Sequence, residues 1–210
     1  MSTFQLNGKD FVSQTSSAEP VIASTVTGGE GCRTWTKLSE TDASNDATIL
    51  CGSTSIFTST YSMYCIQITG LEFASNADMH AKLKLNGAVK TSDYVYTQHR
   101  ANGTNNALAN STSDSKMRMG NNVSGANYVI ATGDCYAGGY VYVHNPENTS
   151  HLTHLYSTVW FIDDSDLAYQ GTMIGYYKGT DCNNALEGVE FSASTGNITS
   201  GKFVTYGIRD

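Results

Sequence analysis

Residues 63–71 read MYCIQITGL, and this stretch decides the fold class. Apolar side chains recur at every second position, and polar side chains stand between them. The apolar set is Tyr64, Ile66 and Ile68, and the polar set is Gln67 and Thr69. Because successive side chains of a β-strand point to opposite faces of its sheet, this alternation predicts a strand with one buried face and one exposed face.

The same alternation recurs along most of the chain. Residues 81–87, AKLKLNG, place Ala81, Leu83 and Leu85 on one face and end on an Asn-Gly pair, which favours a tight hairpin turn. No segment carries the apolar stripe of a sustained helix. We therefore predict an all-β, jelly-roll-like antiparallel β-sandwich. Further predicted strands are RTWTKLS (33–39), DYVYTQ (93–98), NYVIAT (127–132), GYVYVH (139–144), LYSTVWFI (155–162), GTMIGYY (171–177), EGVEFSA (187–193) and KFVTYGI (202–208).

Two stretches interrupt this rhythm. Residues 101–115 are polar and rich in turn formers, which predicts a long surface loop or an irregular hairpin. Residues 1–19 are predicted to form an extended N-terminal arm, and residues 20–210 a single sandwich domain. The arm carries the apolar residues Phe4, Leu6 and Phe11. Because such anchors on an extended segment commonly become ordered on a partner, we expect the arm to dock on another subunit.

Composition excludes several classes of function. The 210 residues include 12 Lys and Arg against 19 Asp and Glu, a net charge of -7, so no basic field is available for nucleic acid. The N-terminus lacks the pattern of a secretory signal, and no apolar run is long enough for a membrane span. We expect synthesis in a host cytoplasm without membrane insertion. The five cysteines form no C-x-x-C pair and are predicted to be small buried residues, whose redox state stays open.

Recognisable catalytic or metal-binding motifs are not found in the sequence. The HLTH stretch at 151–154 would need a turn to bring its two histidines onto one metal ion, because positions three apart on a strand face opposite sides. The DDSD stretch at 163–166 lacks the Gly and the closing Glu of an EF-hand and is better explained as a turn with Asx hydrogen bonds. We predict no catalytic residue, no metal and no cofactor.

Tyrosine is the remaining functional signal. Tyr94 and Tyr96 share one face of a predicted strand, as do Tyr140 and Tyr142. Such rings commonly pack across strands, which would bury them. Alternatively they line a protein interface or a sugar-binding platform, because tyrosine combines a large contact area with a polar tip. The candidate interface residues are Phe4, Leu6, Phe11, Tyr94, Tyr96, Tyr140 and Tyr142.

Three stretches carry a resemblance to a known class of proteins. They are WTKLSETDASNDATILCGSTSIFTSTYSMYCIQITGLEFASNADMHAKLKLNG (35–87), LYSTVWFI (155–162) and NALEGVEFSASTGNITSGKFVTYGI (184–208). In this order, separated by a middle rich in Gly, Ser, Asn and Tyr, they resemble small virion structural proteins of tailed bacteriophages, especially those from aquatic environments. The resemblance covers residues 33–210 and transfers no functional residue.

The resemblance implies a jelly-roll-like module on a capsid or tail, without catalysis. It also implies that the terminal strand at 202–208 pairs with Val189–Ala193 through the turn at Asn197. The expected function is capsid decoration, with capsid or tail subunits and further copies of the chain as partners. A head or tail fibre component that binds a host surface glycan or protein is the alternative. A glycan depolymerase ranks third, because no carboxylate pair is apparent.

Overall fold

The fold is described from a computed structural model. Backbone and side chains are described for residues 35–102, 106–119, 130, 137–147, 149–163 and 166–209, and strand pairing alone for 2–6, 9–14 and 21–22. The chain divides into two compact units, Met1–Arg33 and Thr34–Arg209. The first unit contains a three-stranded sheet of order β1-β2-β3, made of β1 (Ser2–Leu6), β2 (Lys9–Gln14) and β3 (Val21–Ile22).

The second unit contains thirteen strands among its described residues. These are β4 (Trp35–Ala43), β5 (Thr48–Cys51), β6 (Met63–Phe73), β7 (Met79–Leu85), β8 (Ala88–Val89), β9 (Tyr94–Ala101), β10 (Asn106–Asp114), β11 (Met117–Arg118), β12 (Ala137–His144), β13 (His154–Ile162), β14 (Ala168–Tyr177), β15 (Leu186–Ala193) and β16 (Ile198–Ile208). The predicted all-β class is confirmed. Of the predicted strand at 127–132 only Ile130 is described, where it bridges Ala77 and Asp163.

Two antiparallel sheets make up this unit. The large sheet has eight strands in the order β10-β9-β14-β13-β12-β6-β16-β4, and the small sheet has five, with β11-β7-β15-β5 in order and β8 paired to β7. Residues of both sheets share one buried core, and the rings of Phe191 on β15 and Phe203 on β16 lie 5.4 Å apart across it. The sheets therefore form a β-sandwich, as predicted, whereas the jelly-roll form stays a prediction.

The two stretches whose alternation predicted strands, residues 63–71 and 81–87, form β6 and β7. On β6, Tyr64, Ile66 and Ile68 are buried between the sheets, and Gln67 and Thr69 face outward. On β7, the apolar residues are buried and Lys82 and Lys84 are partly exposed. The Asn-Gly pair after β7 forms the predicted hairpin turn, because Asn86 (φ 51°) and Gly87 (φ 76°) both have positive φ and Leu85 pairs with Ala88.

Tyr94 connects the two sheets directly. It lies on β9 of the large sheet, and its hydroxyl accepts a hydrogen bond from the backbone N–H of Leu83 on β7 at 2.7 Å. The same hydroxyl donates to the carbonyl of Lys90 at 3.1 Å. Because this side chain is fully buried, both bonds are shielded from water, and burial raises the pKa of Tyr94.

One prediction about connectivity is wrong, and a second is resolved in favour of one of its two forms. The terminal strand does not pair with Val189–Ala193: β16 lies between β6 and β4 in the large sheet, and β15 lies between β7 and β5 in the small sheet. The turn at Asn197 therefore carries the chain from one sheet to the other. Residues 101–115 contain β10, which pairs antiparallel with β9 and has a register shift after Ser111, so of the two predicted forms the irregular hairpin is the one observed.

Gly139 fixes how closely β12 approaches β13. A Cβ atom at this position would lie 2.4 Å from the carbonyl oxygen of Thr158 and 2.9 Å from the Cα of Val159. Because these contacts are with backbone, we expect Gly139→Ala to force the strands apart and to lower the free energy of unfolding by about 1–3 kcal/mol. Chemical denaturation measures the change. Thr158→Ala on the neighbouring strand is the control, with an expected effect within about 0.5 kcal/mol; equal stability of the glycine variant and the wild type would contradict the packing described.

Candidate functional site: the outer face of the large sheet

In the described part of the chain the small sheet covers one side of the large sheet, and the other side carries a continuous set of aromatic residues. Strand register places five outward-facing residues in one lateral row. In strand order this central row is Tyr206 (β16), Cys65 (β6), Tyr142 (β12), Tyr156 (β13) and Ile174 (β14). Tyr156 and Ile174 remain 41% and 53% exposed, so the row reaches the surface.

Outward-facing residues of neighbouring rows extend this surface, which we call the outer aromatic face. It comprises the outward residues of seven adjacent strands, β16, β6, β12, β13, β14, β9 and β10. Besides the central row, it includes Met63, Gln67, Val95, Thr97, His99, Leu108, Tyr140, His144, His154, Thr158, Trp160, Gln170, Thr172, Tyr176 and Val204.

Ring contacts hold the aromatic residues in place. Trp35, on the edge strand β4, lies 5.6 Å from Tyr206 and 6.4 Å from Tyr142 between ring centroids. Tyr142 lies 6.1 Å from Tyr156. Tyr140 lies 5.7 Å from Trp160. All four distances fall in the range of favourable aromatic pairs, so each ring restricts its neighbour and the face is ordered before any partner binds.

Gly138 lets Trp160 lie low on the sheet. The two residues are register partners on β12 and β13, and a Cβ atom on Gly138 would come within 2.9 Å of the indole ring. The ring therefore covers the glycine backbone, as an aromatic residue commonly does opposite a glycine in a sheet. Trp160 is still 44% exposed on its outer side, which gives the face a broad and shallow surface.

Charge is missing from most of the outer aromatic face. On β6 from Met63 to Thr69, and on β12, β13, β14, β9 and β10 as far as Asn110, none of the described outward-facing residues is Asp, Glu, Lys or Arg. Charges begin at the β4 edge, where Lys37 and Lys202 both pair with Glu40, and Lys202 also pairs with Asp42 at 2.8 Å. These ions neutralise one another, and the pKa of Glu40 is lowered to about 2 by its two lysine hydrogen bonds.

Cys65 is buried beneath the aromatic rings. It faces outward on β6, yet it is fully inaccessible, because its register partners on either side are Tyr142 and Tyr206 and Trp35 contacts both of those rings. Burial raises the pKa of its thiol to about 12, and burial also raises the pKa of Tyr142. The thiol is therefore protonated at neutral pH and inert while the rings stay in place.

A shallow cleft opens beside the central row. It has a volume of about 230 Å³ and is lined by Val95, Tyr96, Thr97, His154, Ile174 and Tyr176. The ring of His154 lies 5.6 Å from that of Tyr176. His144 is the register partner of His154. The pKa of His144 is lowered mainly by burial and to a smaller extent by the neighbouring His154. His144 is therefore neutral at pH 7.

The candidate interface residues have separate outcomes. Tyr140 and Tyr142 lie half-buried on the outer aromatic face. Tyr94 and Tyr96 are buried in the core, where Tyr94 connects the sheets and the hydroxyl of Tyr96 donates to Asp114 at 3.1 Å, so their prediction as interface residues is wrong. The side chains of the remaining candidates, on β1 and β2, lie outside the described residues: Phe4, Leu6 and Phe11.

Sequence reasoning missed several exposed residues on this side of the large sheet. Trp35, Tyr156, Trp160 and Ile174 stand at outward positions of strands that were predicted correctly. Alternation marks the two faces of each strand but not which face is covered when both carry apolar residues. The signal available was that β13 and β14 are apolar on both faces, which indicates a second contact surface.

The polar motifs form no site in the described part of the chain. Asp163 accepts a hydrogen bond from the backbone N–H of Leu167 at 2.9 Å, while Asp164 and Ser165 lie outside the described residues, so the predicted Asx turn stays a prediction. His151 is exposed, and His154 belongs to the outer aromatic face. No group of three or more metal-ligating side chains occurs among the residues described. A membrane-spanning helix is likewise not found among those residues.

Comparison with known proteins gives no relative. No family model matches the chain, and no match is found among curated proteins or among solved structures.

The reactivity of the Cys65 thiol shows whether Trp35 shields it from solvent. We expect Trp35→Ala to uncover the thiol and to increase its alkylation rate by about tenfold or more at pH 8. Mass spectrometry of the peptide containing Cys65 measures the rate. Trp160→Ala is the control. Trp160 packs against Tyr140 rather than against Tyr142 or Tyr206, so we expect this variant to leave the alkylation rate of Cys65 unchanged. Equal rates in the two variants would show that Trp35 does not cover this thiol.

The hydroxyl of Tyr94 is expected to contribute to stability rather than to binding. Tyr94→Phe leaves the buried N–H of Leu83 without an acceptor, so we expect a loss of about 1–3 kcal/mol in the free energy of unfolding. Tyr156→Phe removes the same atom at an exposed position and is the matched control, with little change expected. If the two variants have the same stability, the hydroxyl of Tyr94 does not hold the sheets together.

Proposed function

We propose that the protein is a non-enzymatic structural protein of a bacteriophage particle, a capsid decoration protein that assembles through the outer aromatic face. The phage setting rests on the sequence resemblance described above. The binding role rests on one observation, which is that the outward residues of six adjacent strands are aromatic, apolar or uncharged. The proposal assigns no catalytic residue and no cofactor.

The composition of this face supports a protein partner. The cores of protein interfaces are rich in Tyr, Trp and Met and poor in Lys, Glu and Asp. The face follows the same distribution, with Tyr142 and Tyr156 near its middle, Trp160 in an outer row and the paired charges of Glu40 and Lys202 at one edge. Its exposed apolar residues also extend well beyond isolated positions, and extended apolar patches mark interaction sites.

A second candidate is a head or tail fibre component that binds a neutral host glycan. The observation that favours it is the cleft between His154, Ile174 and Tyr176, because an aromatic wall beside hydrogen-bonding groups suits a sugar ring. Its volume of about 230 Å³ is below the roughly 300–1,000 Å³ of pockets for drug-sized ligands, so a single ring is the largest group expected to fit.

Reattachment to particles tests the proposal. Purified particles should contain the protein in a copy number that follows the capsid lattice, as measured by quantitative mass spectrometry. Particles stripped of it should rebind the recombinant wild type, and Trp160→Glu should reduce rebinding at least tenfold because a charge enters the face. Leu50→Glu, at a position of similar exposure on the small sheet, should rebind normally. Absence of the protein from particles, or equal rebinding of both variants, would contradict the proposal.

A further inference from the structure

We infer that the outer aromatic face is occupied by the same face of a second copy of this chain, in a two-fold symmetric dimer centred on Tyr156. This inference rests on the proposed role of the face as the binding surface and names its partner. Three properties of the face support this inference: its area, its lack of unpaired charge, and the position of Tyr156 on its middle strand.

The face is large enough for a stable dimer. Neighbouring strands lie about 4.8 Å apart, and outward residues on one strand recur about every 7 Å. Seven strands and four rows therefore cover a flat footprint of about 600 Å². The accessible surface of protruding rings exceeds their footprint, so the face approaches the roughly 800 Å² per partner of a standard interface.

The absence of charged residues favours this face for contact between two copies of the chain. The chain carries a net charge of -7, so two copies repel each other over most approaches. The outer aromatic face is free of Asp, Glu, Lys and Arg from β6 to β10, and the ions at the β4 edge already pair within the chain. Two such faces can meet without burying an unpaired charge, which would cost several kcal/mol.

The centre of the face suits a two-fold axis. In a two-fold interface the same patch contacts itself, so residues near the axis meet their own copies. The middle strand of the seven is β13, and its residue in the central row is Tyr156. Ile174, which is 53% exposed, is its register partner on β14, and the half-buried Tyr142 is its partner on β12. Binding energy concentrates near the centre of an interface and in aromatic residues.

The geometry of sheet packing allows this arrangement. Two twisted antiparallel sheets pack face to face about 10 Å apart with their strands within about 30° of each other. Within one chain the inner side of the large sheet packs on the small sheet. In the dimer the outer faces of two large sheets would pack in the same way, and rings such as Tyr156 would interdigitate.

The first test measures mass. Light scattering coupled to size-exclusion chromatography and sedimentation equilibrium should give a dimer for the wild type at about 10–100 μM. Tyr156→Lys and Ile174→Lys should each give a monomer, because either places a cation in the centre of an apolar interface. Leu50→Lys, at a residue 42% exposed on the outer side of the small sheet, should remain dimeric. Circular dichroism and thermal unfolding establish that each variant is folded.

The second test locates the axis. Tyr156→Cys should form an intermolecular disulfide with its own copy under mild oxidation, detected as a covalent dimer on a non-reducing gel and assigned by peptide mass spectrometry. Leu167→Cys, at a surface position 44% exposed outside the face, should not. A covalent dimer through residue 167 but not through residue 156 would overturn the inference.

The outcomes separate the inference from the proposed function. A wild type that is monomeric at 100 μM overturns the inference. If that monomer still rebinds particles and Tyr156→Lys prevents rebinding, the face binds a capsid subunit and the proposed function stands. If the monomer instead binds a neutral polysaccharide such as dextran or a host cell-wall glycan, and Tyr156→Lys abolishes binding, the fibre role replaces decoration.

Discussion

The register of the eight-stranded sheet is the constraint on which the rest of the structure depends. Each strand turns successive side chains to opposite faces, so a shift of one residue in any pair would exchange the core with the surface. β6 and β16 are the longest strands of the sheet and pair with each other next to its β4 edge. Their register places Ile66 beside Thr205 in the core and Cys65 beside Tyr206 outside it. The pair formed by Cys65 and Tyr206 belongs to the central row, which the registers of β12, β13 and β14 extend to Ile174.

The two sheets differ in size, and this difference explains why aromatic residues remain exposed. The small sheet covers only the inner side of the large sheet. Among the described residues of the unit no further layer lies over the outer side, and Trp160, Tyr156 and Ile174 are exposed there. Packing on this side of the sheet reduces the exposure of some aromatic rings. Trp35 packs against Tyr142 and Tyr206, and Trp160 packs on Gly138. This packing reduces the apolar area open to water but does not remove it, so the face remains an energetically favourable place for a partner to bind.

The distribution of charge connects this face to the proposed role. A molecule with a net charge of -7 stays apart from other copies of itself unless a surface without charge is available for contact. The outer aromatic face provides that surface, and the paired ions of Lys37, Glu40, Asp42 and Lys202 delimit it at the β4 edge. The buried thiol of Cys65 and the neutral imidazole of His144 add no charge to it at pH 7. On a repeated lattice such as a capsid, a single face of this kind is sufficient to direct every copy into the same contact.

Alternation in the sequence was sufficient to determine the all-β class, most strand positions, the inward face of β6 and β7 and the Asn86-Gly87 turn, because these depend on residues close together in the chain. It could not determine that β15 and β16 lie in different sheets, since pairing between distant strands depends on which surfaces fit in three dimensions. For the same reason the sequence could not separate Tyr94, which connects the sheets inside the core, from Tyr142, which lies on the outer face. Both belong to strands with tyrosines at alternate positions, and only the packing of one sheet on the other decides which side of a strand is buried.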